Sequence, residues 1–216
     1  MTERAERAGR GRAGRAGAAV GRIGRVLCPR LLAALPRPVA LDPPAPGDLA
    51  RCGPGSWIAA PATIVGAEQV ALGTGVIVME QAEIRAVPAA GAAEPLVVIG
   101  DGTRLARFAT IWATVGVEIG AGVGTSDAVA IIDCWRPPGA PAGAIPDPPA
   151  GRVVIGDGAY LGAGCVIGPG VVIGRSAYVG EGAVVTSDVA AHTVVYGNPA
   201  RPTRHWTAEA GWRAAG

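Results

Sequence analysis

The chain has 216 residues, half of them hydrophobic, with 34 Gly, 19 Pro, few aromatics and a formal charge of +2. That length suits one domain with appendages and supplies a sizeable core, and no apolar run approaches the roughly 18 residues of a membrane span. The charge is uneven: residues 1–37 hold nine Arg against Glu3 and Glu6, while the remainder, with ten Arg against fifteen acids, is net negative, which argues against nucleic-acid binding by the folded part.

Residues 1–17, MTERAERAGRGRAGRAG, are too poor in apolar side chains to fold alone, so a disordered tail is predicted. No extended apolar leader stretch is present there, and a cytoplasmic location is the default expectation. Residues 18–35 place Val20, Ile23, Val26, Leu27, Leu31 and Leu32 near helical spacing, weakened by Gly21, Gly24 and Pro29. A short or broken helix capping the next element is expected, with membrane contact by this segment the less favoured alternative. Residues 36–55 are dense in Pro and Gly and read as an irregular wrap.

A six-residue aliphatic period then begins. Ile58 and Ile64 keep it, as do Leu72, Val78 and Ile84 after a two-residue shift near Val70; Ile99, Leu105 and Ile111 resume it, and Ile119, Thr125 and Ile131 follow a second slip. Segments 85–95 and 133–152, the latter with six Pro, break the period and read as corner loops. Residues 154–190 carry the clearest form, with Ile155, Leu161, Ile167, Ile173, Val179 and Val185 in strict succession. Residues 191–206 are expected to leave the repeat, and 207–216 to form a short helix or frayed end.

A period of six matches neither the 3.6 of a helix nor the 2.0 of a half-buried strand. It fits short strands joined by tight turns, three hexapeptides to a triangular coil, with aliphatic residues stacked inside. Each buried Val, Leu or Ile then contributes roughly 1.5–3 kcal/mol of cohesion. Gly156, Gly162, Gly168, Gly174 and Gly180 stand at the corners, where positive φ and close approach of the next coil exclude a Cβ. The predicted fold is an all-β solenoid over 56–190, with 1–17, 18–55 and a C-terminal tail 191–216 outside it. The four Cys lack metal-ligand spacing, and Cys165 reads as a small buried apolar residue.

The unbroken hexapeptides, together with VVYGNPARPTR at 194–204, closely resemble the hexapeptide-repeat acyltransferases, in particular acetyltransferases of the galactoside, maltose and antibiotic-modifying type. The resemblance implies a left-handed parallel β-helix and a homotrimer with active sites between neighbouring prisms. It also implies transfer of an acetyl group from acetyl-CoA to a hydroxyl or amine, here a hydroxyl of a saccharide or similar small acceptor. By the same resemblance Tyr160 and Ala163 flank the thioester end of the donor, and Gly180 and Glu181 lie along its pantetheine arm. Thr186 and Arg204 lie near the nucleotide end, with Arg201 a second candidate. Arg204 has an independent warrant, since a guanidinium matches phosphate geometry in a bidentate way.

Attack of a neutral hydroxyl on a thioester benefits from a general base, ordinarily His. In the family that His lies in the loop after an Ile-x-Asp strand; here the run is Asp133, Cys134, Trp135, Arg136. The only two His, His192 and His205, lie beyond the repeat and read as turn or surface groups. They are too few for the three-His zinc site of related β-helical enzymes, and no metal is expected. Three readings follow: Asp133 as a weaker base with orientation supplying most of the acceleration, Cys134 as a nucleophile, or a protein that lost transfer and kept a CoA-binding or structural role.

Overall fold

The computed structural model describes residues 45–88, 95–135 and 150–215. The expected tail 1–17, the helix 18–35, most of the wrap and the middle of the 133–152 loop, Arg136 included, lie outside the described residues.

Strands of two to five residues alternate with tight corners and stack in parallel into three sheets, the faces of a left-handed β-helix. The first face runs Arg51–Cys52, Val70–Leu72, Val97–Ile99, Val117–Ile119, Val153–Ile155 and Val172–Ile173. The second runs Trp57–Ile58, Ile77–Val78, Arg104–Leu105, Gly124–Thr125, Tyr160–Leu161, Tyr178–Val179 and Thr193–Gly197. The third runs Thr63–Val65, Glu83–Ala86, Thr110–Ala113, Ala130–Ile132, Val166–Ile167 and Val184–Val185.

The hexapeptide register explains the core. On the first face Leu72, Ile99, Ile119, Ile155 and Ile173 are paired in succession; on the third, Ile64, Ile84, Ile111, Ile131, Ile167 and Val185. All of these are buried, so each inward column is a continuous aliphatic stack. Thr125 occupies a column position on the second face and satisfies its hydroxyl by accepting from the Ala106 N–H at 2.8 Å. Small residues fill a second inward row, Ala159, Cys165, Val171, Ala177 and Ala183, where a larger side chain would overfill the prism.

The two glycine demands fall on different residues. Gly156, Gly162, Gly174 and Gly180 lack positive φ and are required by close approach; a Cβ on Gly156 would lie 2.7 Å from the backbone N of Arg175. Positive φ occurs two residues later, as at Gly158 and Gly164. The reason is the turn itself, whose left-handed residue follows the point where coils touch.

Four interruptions share one edge, between the third and first faces. The short turn Ala67–Gln69, the 87–96 segment, the 114–116 turn and the 133–152 loop each connect a third-face strand to a first-face strand. The edge between the second and third faces carries only four-residue corners, such as 106–109, 126–129, 162–165 and 180–183.

The ends differ from expectation. The ladder begins at Arg51 rather than 56, and Thr193–Gly197 stays in the second sheet, where Val195 pairs with Val179 and is buried. The chain then reverses into Ala200–Thr207 and again into Gly211–Ala214, both antiparallel. The predicted C-terminal helix or frayed end is thus a strand, because Trp206 pairs with Trp212 across a turn closed by Gly211 at φ +64°. Among the described residues no helix is long and apolar enough to cross a membrane.

Candidate functional site

The uninterrupted edge collects three of the predicted site residues, Ala163, Gly180 and Glu181. The Gly182 N–H donates to the Ala163 carbonyl at 2.8 Å, so the corners of successive coils lie directly over one another. Ala163 and Glu181 are exposed, whereas Gly180 is buried beneath the Tyr196 ring, which a Cβ there would strike. The edge is therefore lined by small residues and backbone over two coils, a surface an extended amide-bearing chain can lie against.

On the second face beside it stands a column of tyrosines. Tyr160 and Tyr178 are in register and stacked, with centroids 5.3 Å apart and planes at 16°; Tyr196 follows at 6.2 Å from Tyr178. Tyr160 Oη and Ser126 Oγ are 2.7 Å apart. Tyr178 donates to Glu181 Oε1 at 2.9 Å, and this bond to the carboxylate, followed by partial desolvation, raises the phenol above its ordinary range. The column was legible and missed: 160, 178 and 196 are spaced by one full coil of three hexapeptides.

Above the column the C-terminal hairpin closes a cleft of about 620 Å³ lined by Tyr178, Val194, Tyr196, Thr203, Arg204 and Trp212. Arg204 is paired with Val194, whose side chain must point outward because its neighbour Val195 points into the core. The cleft thus combines aromatic faces with a guanidinium, and its volume lies within the range of small-ligand sites. Arg201 lies next to Tyr196 in register, exposed, with Nη1 donating to the Ala200 carbonyl at 2.9 Å.

The remaining predictions are not brought to this place. Thr186 follows the third-face strand and belongs to the loop-bearing edge, a face away from Arg204. Asp133 lies at that same edge and is fully buried. Its Oδ2 accepts from the backbone N–H groups of Thr114, Val115 and Gly116 at 2.8, 2.6 and 2.7 Å, and its Oδ1 from Thr114 Oγ1 at 3.1 Å. Four hydrogen bonds thus engage the carboxylate predicted as a base, and they give Asp133 a structural task as the anchor of a turn. It holds the turn that absorbs the slip between Ile111 and Ile119.

Neither His takes its place. His192 sits in a left-handed corner at φ +56°, its ring 5.6 Å from that of Trp206, and its carbonyl accepts the Trp206 N–H at 3.0 Å. His205 is exposed on the hairpin, between Thr193 and Arg213 in register. Cys165 is buried, and desolvation pushes its thiol up to about 12, which keeps it protonated and inert at neutral pH. Among the described residues no group of three His, Cys, Asp or Glu gathers to hold a metal.

Residues 152–187 match the family described as bacterial transferase hexapeptide (six repeats). The hexapeptide repeat is thus shown over residues 152–187, within a left-handed β-helix whose parallel ladder runs from Arg51 to Val195. It is similar in structure to AntD, an N-acyltransferase from Bacillus cereus, in complex with dTDP and 3-hydroxybutyryl-CoA: 19% identity over 72% of this chain and 82% of that one, TM-score 0.61. A single-site mutant of AntD, in complex with dTDP-4-amino-4,6-dideoxyglucose and coenzyme A, is similar at 18% identity with the same coverage and a TM-score of 0.62. A hexapeptide-repeat acetyltransferase from Vibrio cholerae complexed with acetyl coenzyme A gives 19% identity over 74% and 73% of the two chains, TM-score 0.49. No curated protein matches the chain by sequence.

Proposed function

We propose that this protein binds an acyl-CoA donor along its uninterrupted edge and transfers the acyl group to a hydroxyl or amine of a small acceptor. In its finer form, acetyl-CoA is the donor and a saccharide hydroxyl the acceptor. The observation that carries the reading is the continuity of the edge with the cleft: the backbone strip from Ala163 to Gly182 meets Tyr178 through Glu181, and Tyr178 lines the cleft that holds Arg204.

In this arrangement the nucleotide end of CoA lies in the cleft, with Tyr196 and Trp212 offering ring faces and Arg204 facing the phosphates. The pantetheine amides run past Glu181 and Ala163, where no side chain larger than a methyl blocks the Ala163 corner. The thioester then lies near Tyr160 and Ser126, whose hydroxyls are donors suited to a developing oxyanion. CoA supplies the activated thioester; this chain supplies position. The AntD complexes support the donor class, since those proteins hold CoA or an acyl-CoA. A homotrimer, with a neighbouring prism completing each site, is part of the proposal; a solution mass of one chain would remove it.

A second reading is a CoA-binding protein without turnover, favoured by the burial of Asp133 and the position of both His away from the loop. Calorimetric titration with acetyl-CoA, beside thiol release with saccharide and amine acceptors, separates the two. Binding with turnover is the expected result. Binding alone supports the second reading, and no binding sinks both.

A further inference from the structure

The uninterrupted edge has three non-Gly residues at a backbone position that favours Gly, and one of them carries a large apolar side chain. At the left-handed position of its successive corners stand Gln81, Phe108, Ala128, Gly164 and Gly182. Phe108, the only Phe in the chain, adopts φ +59° there and leaves its ring 51% exposed. A bulky side chain in this backbone region is strained, and Gly occupies the equivalent place in the upper coils at no cost. The residue buries only about half its surface in return. Strain with only partial packing gain points to a task outside the fold's own stability.

The position of Phe108 defines the task. The Ala128 N–H donates to the Arg107 carbonyl at 2.8 Å, the Gly164 N–H to the Asp127 carbonyl at 3.0 Å and the Gly182 N–H to the Ala163 carbonyl at 2.8 Å, so these corners form one continuous strip. Phe108 therefore lies two coils below Ala163, about 10 Å along the strip at roughly 5 Å per coil. The coil between them offers the methyl of Ala128 at this position, with the ion pair of Arg107 and Asp127, 2.7 Å apart, running beside it. With the nucleotide end above Glu181, the acyl end points down the strip towards Ala128 and Phe108. An acetyl group is too short to span two coils, whereas a longer hydrocarbon chain covers Ala128 and ends against the ring.

We propose that Phe108 is a specificity-determining residue that forms the apolar end wall of an acyl channel, and that the donors this protein prefers carry acyl chains longer than acetyl. The inference rests on the acyl-CoA reading above and sets a longer acyl chain in place of acetyl, its finer form. Full-length protein is titrated calorimetrically with acetyl-, butyryl- and hexanoyl-CoA. Four added methylenes, which carry the chain end along Ala128 towards the ring, strengthen binding at least roughly tenfold from acetyl- to hexanoyl-CoA. Phe108→Gly brings that ratio towards one, Phe108→Leu keeps most of it, and the melting temperature of Phe108→Gly is at or above that of the native chain because strain is relieved. Equal affinities across the native series, or a ratio that Phe108→Gly leaves intact, overturn the proposal while the donor reading stands. A Phe108→Gly protein that melts well below the native one assigns the ring to packing and also overturns it. Absence of binding by all three thioesters removes the donor reading, and this inference with it.

Discussion

Two edges of one prism, built from the same repeat, have opposite characters. The edge between the third and first faces holds all four interruptions of the period, and its carboxylate, Asp133, is buried under four donors. The edge between the second and third faces has no insertion, exposes backbone and small residues around Ala163 and Gly182, and leads into an aromatic cleft that holds a guanidinium. A carboxylate in a sequence pattern is therefore a poor guide to chemistry until its lone pairs are counted. At the loop-bearing edge they stabilise a turn, whereas at the open edge the Glu181 carboxylate is exposed and accepts a single phenol proton.

The contrast is most exposed to test at Asp133. Replacing it by Ala strands three backbone N–H groups, that of Gly116 buried and those of Thr114 and Val115 part-buried, and an expected loss of about 3 kcal/mol by urea denaturation follows. A variant as stable as the native protein that lost only turnover would restore Asp133 as the base and erase the distinction between the edges. Next in size is Gly162→Ala on the open edge: the new Cβ would lie 2.7 Å from the Glu181 backbone N, and overpacking costs about 1–3 kcal/mol. Because that strain moves the Glu181 corner, acetyl-CoA affinity is expected to fall together with the melting temperature.

Arg204→Ala sharpens the comparison from the other side. The side chain is exposed, so stability is unchanged, while loss of a charge-assisted phosphate contact weakens acetyl-CoA binding by about 1.5–3 kcal/mol in a titration. Unaltered affinity would leave the cleft without its assigned ligand. The smallest effect is at Tyr178. Its phenol is raised by the bond to Glu181, so the folded chain holds this proton more firmly than the unfolded chain does. The associated stability is present below the ordinary phenol range near pH 10 and is lost as pH rises above it. Tyr178→Phe is expected to flatten that alkaline decline slightly in melting curves recorded from pH 8 to 11; an unchanged slope would show the bond to be spent on solvent.

The sequence by itself determined the prism, because a six-residue aliphatic period has only one way to bury its side chains, and each of Ile155, Leu161, Ile167, Ile173, Val179 and Val185 lies in a core column. It also carried the small-residue strip at Ala163 and Gly180, and, unnoticed, the Tyr160, Tyr178, Tyr196 column at a spacing of one coil. Tertiary structure alone decided which residues share an edge. Thr186 and Arg204 are close in sequence yet belong to different faces, since a corner turns the chain every six residues. Arg204 and Trp212 meet Tyr178 only because the C-terminal segment, with helix or disorder expected, pairs as two antiparallel strands. The standing of Asp133 likewise depended on the N–H groups of a turn nearly twenty residues earlier, a partner set created by coil stacking that no local pattern announces.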